Sequence, residues 1–406
     1  MNQPSSHIVD ETFKLALRQP IEAELIGNIL PFWINHTVDR ERGGFYGALS
    51  NDLHIHNESP RSAVVCARIL WTYSSAYRQY RKPEYLAMVR HAYEYLTGPF
   101  WDPQYGGVYW QIDSQGMPVM DRKHSYAQAF AIYGLSEYYR AVQEPESLQR
   151  VRQLFALLET HASDPVFGGY IEGRNRGWNP LQDMRLSDKE PDCQKSMNTL
   201  LHILEGYTNL LRAWRDETLA SRLKDLLEIF FRHVIDPRTH HFKLFFDERW
   251  NSQEEWVSYG HDIEGSWLLV EAAETLGHPG LLAEAREVAV KMAAAVLAEG
   301  VSADGSVIYE IKPDGIRNDD KHWWVQAEGM VGFYNAYQIS GDPAFARASM
   351  RCWEVIASQF VDRQYGEWYK VLDSQGIPYA DHYKVGPWEC PYHHSRACFE
   401  MLARLL

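Results

Sequence analysis

Hydrophobic and polar positions follow a pattern that recurs about every 60 to 70 residues along this chain. Each unit opens with a polar turn that contains aspartate and glycine, continues with a short aromatic stretch typical of a strand, and ends in two helical patterns. The first helical pattern is apolar on nearly all sides, as in Val64–Trp71, which indicates a buried helix. The second carries charge on one face, as in Ala283–Lys291, and indicates an outer helix.

The turn marks the repeat most clearly. Three complete copies, two weaker copies and one degenerate copy stand at Asp39–Gly44, Asp102–Gly107, Asp164–Gly169, Asp236–His241, Asp362–Glu367 and Ala303–Ser306, respectively. The weaker copies keep the aspartate and lose one or both glycines. Because no linker or low-complexity segment interrupts the repeat, we expect residues 1–406 to form one catalytic domain.

Twelve helices follow from this pattern, in six pairs. They are predicted at Ile8–Thr37, Ala63–Tyr80, Glu84–Leu96, His124–Ala141, Glu146–His161, Lys195–Trp214, Thr218–His233, Ser258–Leu276, Gly280–Ala298, Lys321–Ile339, Pro343–Phe360 and Glu389–Leu405. The last helix pairs with the first by elimination. Six buried helices surrounded by six amphipathic ones predict an all-α (α/α)6 barrel, with the short strands gathered at one mouth.

Composition limits the cellular compartment and the binding partners that can be expected for this protein. The chain is 45% hydrophobic and carries a formal net charge of -14, which argues against binding to nucleic acid or to anionic membranes. No segment is apolar enough to span a bilayer, and Met1–Gln19 lacks the features of a signal peptide. Five cysteines, an odd number without zinc-binding spacing, fit a reducing compartment, so we expect a cytoplasmic protein.

Polar and aromatic side chains stand near the start of the inner helices, where an apolar helix is expected. They are Arg68, Tyr126, Gln128, Asn198, His202, His261, Glu264, His322, Trp323, Trp324, Gln326, Glu328, Trp388, His393 and Arg396. Burying so many polar groups is costly unless they pair or face a wet cavity. In a barrel they would converge on the central funnel, which makes the funnel the candidate site.

Two short sequence motifs that contain histidine stand out among these residues. His261 and Glu264 are three positions apart and share a helix face, so the carboxylate is expected to orient the imidazole. The same spacing suits a metal, but no third or fourth ligand stands at useful spacing, and we expect no metal. Of the neighbours His393 and His394, only one can face the funnel. Each histidine taken alone is also compatible with a purely structural role.

Tryptophans stand next to these polar groups, and flat aromatic rings stack on the C–H faces of sugars. Trp323, Trp324, Trp388 and Tyr126 together with Asn, Gln, Glu and Arg side chains therefore point to a carbohydrate ligand. The partner expected from the residues is a disaccharide or a monosaccharide.

At these positions the chain resembles the N-acylglucosamine 2-epimerase superfamily, and within it the cellobiose 2-epimerases. The resemblance rests on the sequence motifs Pro31–Trp33, Gly43–Gly47, Ala67–Trp71, Lys195–Thr199 with His202, Tyr259–Glu264, His322–Trp324, Gln326–Glu328, Cys390–His393 and Ser395–Ala397. The resemblance implies an (α/α)6 barrel, catalysis without a metal or other cofactor, and a monomer or weak homodimer. It implies His261 and His393 as the acid/base pair, Arg68 as the group that stabilises an enediolate, and a sugar site lined by Asn198, His202, Glu264, Trp324 and Trp388.

The implied reaction is inversion at C2 of the reducing-end glucose of a β-1,4-linked disaccharide through a cis-enediolate. The same residues would serve an aldose–ketose isomerase or an N-acylglucosamine 2-epimerase. A glycoside hydrolase with Glu264 and Glu328 as its two carboxylates is disfavoured by the histidines. A non-catalytic sugar-binding barrel is the alternative outside enzymes, because fold alone does not fix a reaction.

Overall fold

The structure, a computed structural model, describes residues 11–188, 190–312 and 314–406. Its α-helices are α1 Glu11–Glu24, α2 Leu30–His36, α3 Ala63–Tyr80, α4 Pro83–Thr97, α5 Ser125–Val142, α6 Pro145–His161, α7 Met197–Ala213, α8 Glu217–Ile229, α9 Tyr259–Leu276, α10 Pro279–Glu299, α11 Trp323–Ser340, α12 Pro343–Val355 and α13 Tyr392–Arg404. Ile8, the predicted start of the first helix, lies outside the described residues.

The first helices of the pairs form a closed ring. Each of α3, α5, α7, α9 and α11 packs against the next, and α13 contacts both α11 and α3. The helices α4, α6, α8, α10 and α12 pack outside their partners, and α1 packs against α13. The predicted (α/α)6 barrel is therefore confirmed.

Burial follows the predicted difference between inner and outer helices. In α3 every side chain from Ala63 to Ala76 is buried. In α4 only one face is buried, including Tyr85, Val89 and Leu96. None of the helices that the structure describes is both long and apolar enough to cross a bilayer.

Glycines let neighbouring inner helices approach closely. A Cβ at Gly134 of α5 would lie 2.6 Å from the carbonyl oxygen of Ala67 in α3. A Cβ at Gly206 of α7 would lie 2.8 Å from the carbonyl oxygen of Ala129 in α5. The two contacts repeat the same geometry one unit further along the chain, so close backbone packing is part of the repeat.

Three predicted outer helices contain a π-helical turn. The turns are Leu25–Ile29 between α1 and α2, Phe230–Val234 after α8, and Ile356–Phe360 after α12. A π turn inserts one extra residue without ending the helix, and apolar periodicity does not reveal it. The predicted ends of these helices, at Thr37, His233 and Phe360, therefore lie close to the observed ends. The π turn within each helix was not predicted.

Short strands gather where the inner helices begin. They are β1 Leu49–Ser50, β2 Arg61–Ser62, β3 Gln111–Ile112, β4 Pro118–Met120, β5 Lys123–His124, β6 Gly173–Arg174, β7 Lys195–Ser196, β8 Phe245–Phe246, β9 Glu310–Ile311, β10 Arg317–Asn318, β11 Lys321–His322, β12 Val371–Leu372 and β13 Tyr383–Val385. Antiparallel pairing joins successive units (β2 with β3, β5 with β6, β7 with β8, β11 with β12), and β1 with β13 joins the first unit to the last. The strand β4 pairs with the other edge of β3. The predicted strand-lined mouth is thus at the N-terminal ends of the inner helices.

A buried cation holds the turn aspartate in most copies. Asp102 pairs with Lys123, Asp164 with Lys195 and Asp304 with Lys321, at 3.1, 2.7 and 2.6 Å. The pairs Asp39–Arg61 and Asp362–Lys384 have the same arrangement. Each cation stands on the strand that precedes the next inner helix, so the pair fixes where that helix begins. In the fourth copy, the exposed Arg238 is the only ion-pair partner of Asp236 among the residues that the structure describes.

Candidate active site

His261 lies in the first turn of α9 and points its ring at a tryptophan. Its Nδ1 is 2.7 Å from Ser258 Oγ, and its ring centroid is 4.8 Å from that of Trp324. Burial, with a smaller contribution from His202, lowers the pKa of His261 to about 3. The imidazole is therefore neutral near pH 7 and can accept a proton.

His393 lies in the first turn of α13 and contacts the same tryptophan. Its Nδ1 is 2.8 Å from Glu328 Oε1, and its ring centroid is 5.4 Å from that of Trp324. Trp267 Nε1 donates to the other Glu328 oxygen at 3.0 Å, which fixes the carboxylate. Burial, followed by the nearby guanidinium groups, lowers the pKa of His393 well below its usual range. This imidazole is also neutral, with Nδ1–H directed at Glu328 and Nε2 without a hydrogen-bond partner among the described residues.

The guanidinium of Arg396 connects the carboxylates around His393. Its Nη2 donates to Glu264 Oε1 at 2.5 Å and to Glu328 Oε1 at 2.6 Å, and its Nη1 donates to Glu205. Burial and the charge of Glu328 raise the pKa of Glu264 to about 7, against the opposing effect of Arg396. The pKa of Glu205 is lowered to about 2, because the favourable contacts to Arg396 and His202 outweigh its burial.

Arg68 and Tyr126 lie beside this group, on α3 and α5. Arg68 Nη2 donates to Tyr126 Oη at 2.9 Å, and its guanidinium carbon lies 4.1 Å from the Phe130 ring centroid and 4.8 Å from that of Tyr392. Its Nε is buried without a hydrogen-bond partner among the described residues. A cation held between aromatic rings with a free donor is suited to bind an oxyanion.

His202 and Asn198 complete the wall on α7. His202 Nδ1 is 2.9 Å from Glu205 Oε2, and its ring packs against Tyr126 at 5.0 Å between centroids. Asn198 Oδ1 is buried and has no partner in the described part of the chain, so it is available to a ligand hydroxyl.

The remaining two tryptophans stand at different depths. Trp323 is buried with a ring centroid 6.3 Å from that of His393, and its Nε1 has no partner among the residues described. Trp388 is half-buried at the mouth, 5.8 Å from Tyr126 and 5.9 Å from Trp110 between centroids. Beside Trp110 and Trp388 opens a cavity of about 310 Å³, also lined by Arg122. The residues expected to act in catalysis or sugar binding thus lie at one end of the barrel: Arg68, Tyr126, Asn198, His202, His261, Glu264, Trp323, Trp324, Trp388 and His393.

Comparison with known proteins identifies the family. The family model for N-acylglucosamine 2-epimerase (GlcNAc 2-epimerase) matches residues 44–397. The chain belongs to the N-acylglucosamine 2-epimerase family. It is 46% identical to cellobiose 2-epimerase of Bacteroides fragilis, over 95% of this chain and 98% of the relative. It is 39% identical to cellobiose 2-epimerase of Dictyoglomus turgidum, over 96% and 99%.

Solved structures agree with this assignment. Cellobiose 2-epimerase from Bacillus thermoamylovorans superposes with a TM-score of 0.91 at 40% identity, covering 96% of this chain and 99% of that one. An α-mannanase from Bacteroides thetaiotaomicron has a TM-score of 0.67 at 11% identity, and this likeness shows the fold alone.

One prediction about this family member is wrong: Glu264 does not hold His261. The Glu264 carboxylate instead binds Arg396, and its Oε1 lies 3.8 Å from His393 Nδ1. His261 has Ser258 Oγ at Nδ1. Sharing a helix face brings two side chains close, but the stronger charge of Arg396 from across the ring decides where the carboxylate points.

The expectation that no further metal ligand is near also needs correction. In the described part of the chain, Glu264, Glu328 and His393 place donor atoms within 4.8 Å of one another. Glu328 was not counted because it comes from a different helix. Arg396 already places a guanidinium on both carboxylates, so a cation of the protein itself neutralises them.

Two of the polar side chains do not serve the funnel. Gln128 accepts from Val108 N and donates to Val108 O, at 2.9 and 2.8 Å. Gln326 does the same with Val307, at 2.8 Å in both bonds. These amides replace missing strand partners, so their role is structural.

Several residues of the site were not assigned a role from the sequence. Ser258, Glu205 and Tyr392 were absent from the candidates, Arg396 was given no partner, and Glu328 was considered only as a hydrolase carboxylate. The spacing of Glu205 was a usable signal, because it stands three positions after His202 on the same helix face. The partners of Arg396 are contributed by three other helices and leave no local pattern.

Proposed function

We propose that this protein is a carbohydrate 2-epimerase that inverts C2 of the reducing-end glucose of a β-1,4-linked disaccharide such as cellobiose or lactose. One observation carries the proposal: two neutral imidazoles from different inner helices contact the same ring, Trp324, at the strand-lined mouth. The cellobiose 2-epimerases that match nearly the whole chain support the substrate class. The whole of residues 1–406 serves this one site as a single catalytic domain.

The reaction requires an open-chain sugar, because only the free aldehyde acidifies the C2 proton. One imidazole removes that proton and its electron pair moves into a cis-enediolate. After rotation about C2–C3, the other imidazole, which takes up a proton from solvent, donates that proton to the opposite face of C2. The first imidazole then releases its proton to solvent, so atoms and charge balance and no oxidant is needed. Such acid/base assistance contributes roughly 10²–10⁴-fold per group.

Neutral histidines suit both halves of this exchange. His393 is oriented by Glu328 in the manner of a carboxylate behind a catalytic imidazole. His261 is oriented by Ser258. Because neither imidazole is protonated in the free site, either can act as the base, and the one that returns the proton first takes it up from solvent.

Arg68 stabilises the enediolate oxygen. Its permanent charge is held by Tyr126 and its buried Nε has no partner among the described residues, so binding an oxyanion satisfies it. Asn198, His202, Trp323 and Trp324 bind the reducing-end ring. The second sugar ring occupies the cavity beside Trp388, which extends the site outward from Tyr126.

The carboxylates do not form a hydrolase pair. Glycoside hydrolysis needs two carboxyl groups on either side of the scissile bond. Here the Arg396 guanidinium lies between Glu264 and Glu328 and binds both, which leaves no room for a glycosidic oxygen.

Product analysis tests the proposed function. Cellobiose, lactose, mannose and N-acetylglucosamine are incubated with the enzyme in deuterated buffer and followed by NMR. We expect a C2 epimer of a disaccharide with deuterium at C2. A ketose product would show an isomerase, release of glucose a hydrolase, and absence of exchange a binding protein.

Alanine variants test the two histidines. His261→Ala and His393→Ala should each lower turnover of cellobiose at least 100-fold, because each removes an acid/base group. Binding of cellobiitol, the reduced sugar that has no acidic C2 proton, should persist in calorimetry. His233→Ala is the control, since His233 stacks on Trp250, which is not among the proposed site residues. Near wild-type turnover in either site variant contradicts the assignment.

A further inference from the structure

The turn of the repeat loses its second glycine in two of its five full-length copies. Gly44, Gly107 and Gly169 close the first three turns, whereas His241 and Glu367 stand at the same place in the others. The backbone bonds of the turn persist: Asp236 N donates to His241 O and Asp362 N to Glu367 O, both at 2.9 Å. The turn itself therefore does not explain the change of residue.

Glu367 adopts a conformation that favours glycine. Its φ is 64°, and its carboxylate is fully buried. It accepts hydrogen bonds from His394 Nε2 at 2.6 Å, from Lys370 Nζ at 2.8 Å and from Trp33 Nε1 at 3.1 Å. His394 directly follows His393 in α13.

His241 makes the corresponding contact in the fourth copy. Its Nδ1 lies 2.7 Å from Asp262 Oδ2 and its Nε2 lies 3.2 Å from Glu299 Oε2. The other oxygen of Asp262 accepts from Phe242 N at 2.8 Å. Asp262 directly follows His261 in α9.

The two replacements coincide with the two helices that carry an acid/base histidine. The three turns that keep both glycines precede α3, α5 and α7, which carry Arg68, Tyr126 and His202 instead. In both altered copies the new side chain binds the residue immediately after the histidine. The pairs have opposite polarity, a histidine binding an aspartate in one and a glutamate binding a histidine in the other.

We propose that His241 and Glu367 are positioning residues that set the rotation of the helix starts bearing His261 and His393. Successive residues on a helix are about 100° apart around its axis. A buried contact that anchors Asp262 or His394 in the barrel wall therefore turns the preceding histidine toward the funnel. The inference rests on the proposed function, because it assigns these contacts to the two acid/base groups.

Restoring glycine separates this role from folding. Glu367→Gly returns the residue found in three other copies and relieves the positive φ, but removes the carboxylate. We expect kcat on cellobiose to fall about 10- to 100-fold with cellobiitol affinity unchanged, since a misplacement of the order of 1 Å has effects of this size. Glu367→Gln keeps an acceptor for His394 and should recover part of the loss. Were Glu367→Gly not to fold, Glu367→Gln is measured against wild type in the same assay.

His241→Gly should lower kcat in the same way through α9. His240→Gly is the matched control: it lies in the same turn, has a φ of 63°, and should leave kcat unchanged. If both site variants keep wild-type kcat, or lose only thermal stability, His241 and Glu367 are structural and the proposal is wrong.

A readout without turnover keeps this proposal distinct from the proposed function. In ¹⁵N-histidine NMR of the free enzyme, Glu367→Gly should shift the His393 imidazole signals and leave those of His261, and His241→Gly should do the reverse. Unchanged signals in both variants overturn the positioning role. If the signals shift as expected while the wild type epimerises none of the sugars tested, the proposed function fails and the positioning role stands.

Discussion

At the scale of single residues, the two imidazoles of the site are held at the same ring nitrogen by partners of different strength. His393 Nδ1 faces the carboxylate of Glu328, whereas His261 Nδ1 faces the hydroxyl of Ser258. A carboxylate stabilises an imidazolium far more than a hydroxyl does. The two histidines should therefore differ in how readily they carry a proton in the proposed reaction.

Glu328→Gln tests this difference. The amide keeps the shape of the side chain but removes the charge behind His393, so kcat on cellobiose should fall about 10- to 1,000-fold. Cellobiitol binding, measured by calorimetry, should be largely retained. Ser258→Ala removes only a neutral partner and should cost less. A larger loss for Ser258→Ala than for Glu328→Gln would contradict this ranking.

At the scale of helices, successive repeat units are joined by close backbone contacts between their inner helices. Gly134 and Gly206 occupy equivalent places in α5 and α7, and each faces a carbonyl oxygen of the preceding inner helix. These contacts set the spacing of the helices and hence the width of the funnel.

Gly134→Ala should therefore destabilise the protein although alanine favours helices. Its Cβ would lie 2.6 Å from Ala67 O, which forces the helices apart and should cost about 1–3 kcal/mol in the free energy of unfolding. Gly27→Ala is the control, because Gly27 is exposed and its new Cβ would meet nothing within 4 Å. Chemical denaturation measures both. Equal stability of the two variants would show that the inner helices have room to spare.

At the scale of the whole molecule, the strand-lined mouth is held by buried ion pairs, and one of them titrates above neutral pH. Burial disfavours the charged imidazole of His241, but its bonds to Asp262 and Glu299 prevail and raise its pKa to about 9. A pKa raised on folding gives stability that is complete below the unfolded value near 6.5 and is lost as the pH rises through 9.

The stability of His241→Gln should accordingly approach that of the wild type at high pH. The difference in free energy of unfolding should be largest below pH 6.5 and shrink by up to about 1.4 kcal/mol per pH unit between there and pH 9. Denaturation curves at several pH values measure it. A difference that instead grows as the pH rises through 6.5 and then stays constant would show that the imidazole is neutral in the folded protein.

Prediction from the sequence succeeded where the signal was local. The bounds of α3, Ala63–Tyr80, follow from an apolar run and its flanking turns, and they match the structure. The prediction that Glu264 contacts His261 was wrong, although both residues were placed correctly at the mouth. His393 and Glu328 are 65 residues apart in the chain, and no periodicity links them.

By itself the sequence determined the repeat, the alternation of buried and amphipathic helices, and the set of polar residues that begin the inner helices. These are properties of 3.6-residue periodicity and of turn chemistry, and both are encoded within a few positions. Only the tertiary structure decided which side chains pair, because closing the ring brings Glu264, Glu328 and Glu205 to one guanidinium from three helices. It also decided which side chains meet the residues that replace the two lost glycines: His241 contacts Asp262, and Glu367 contacts His394.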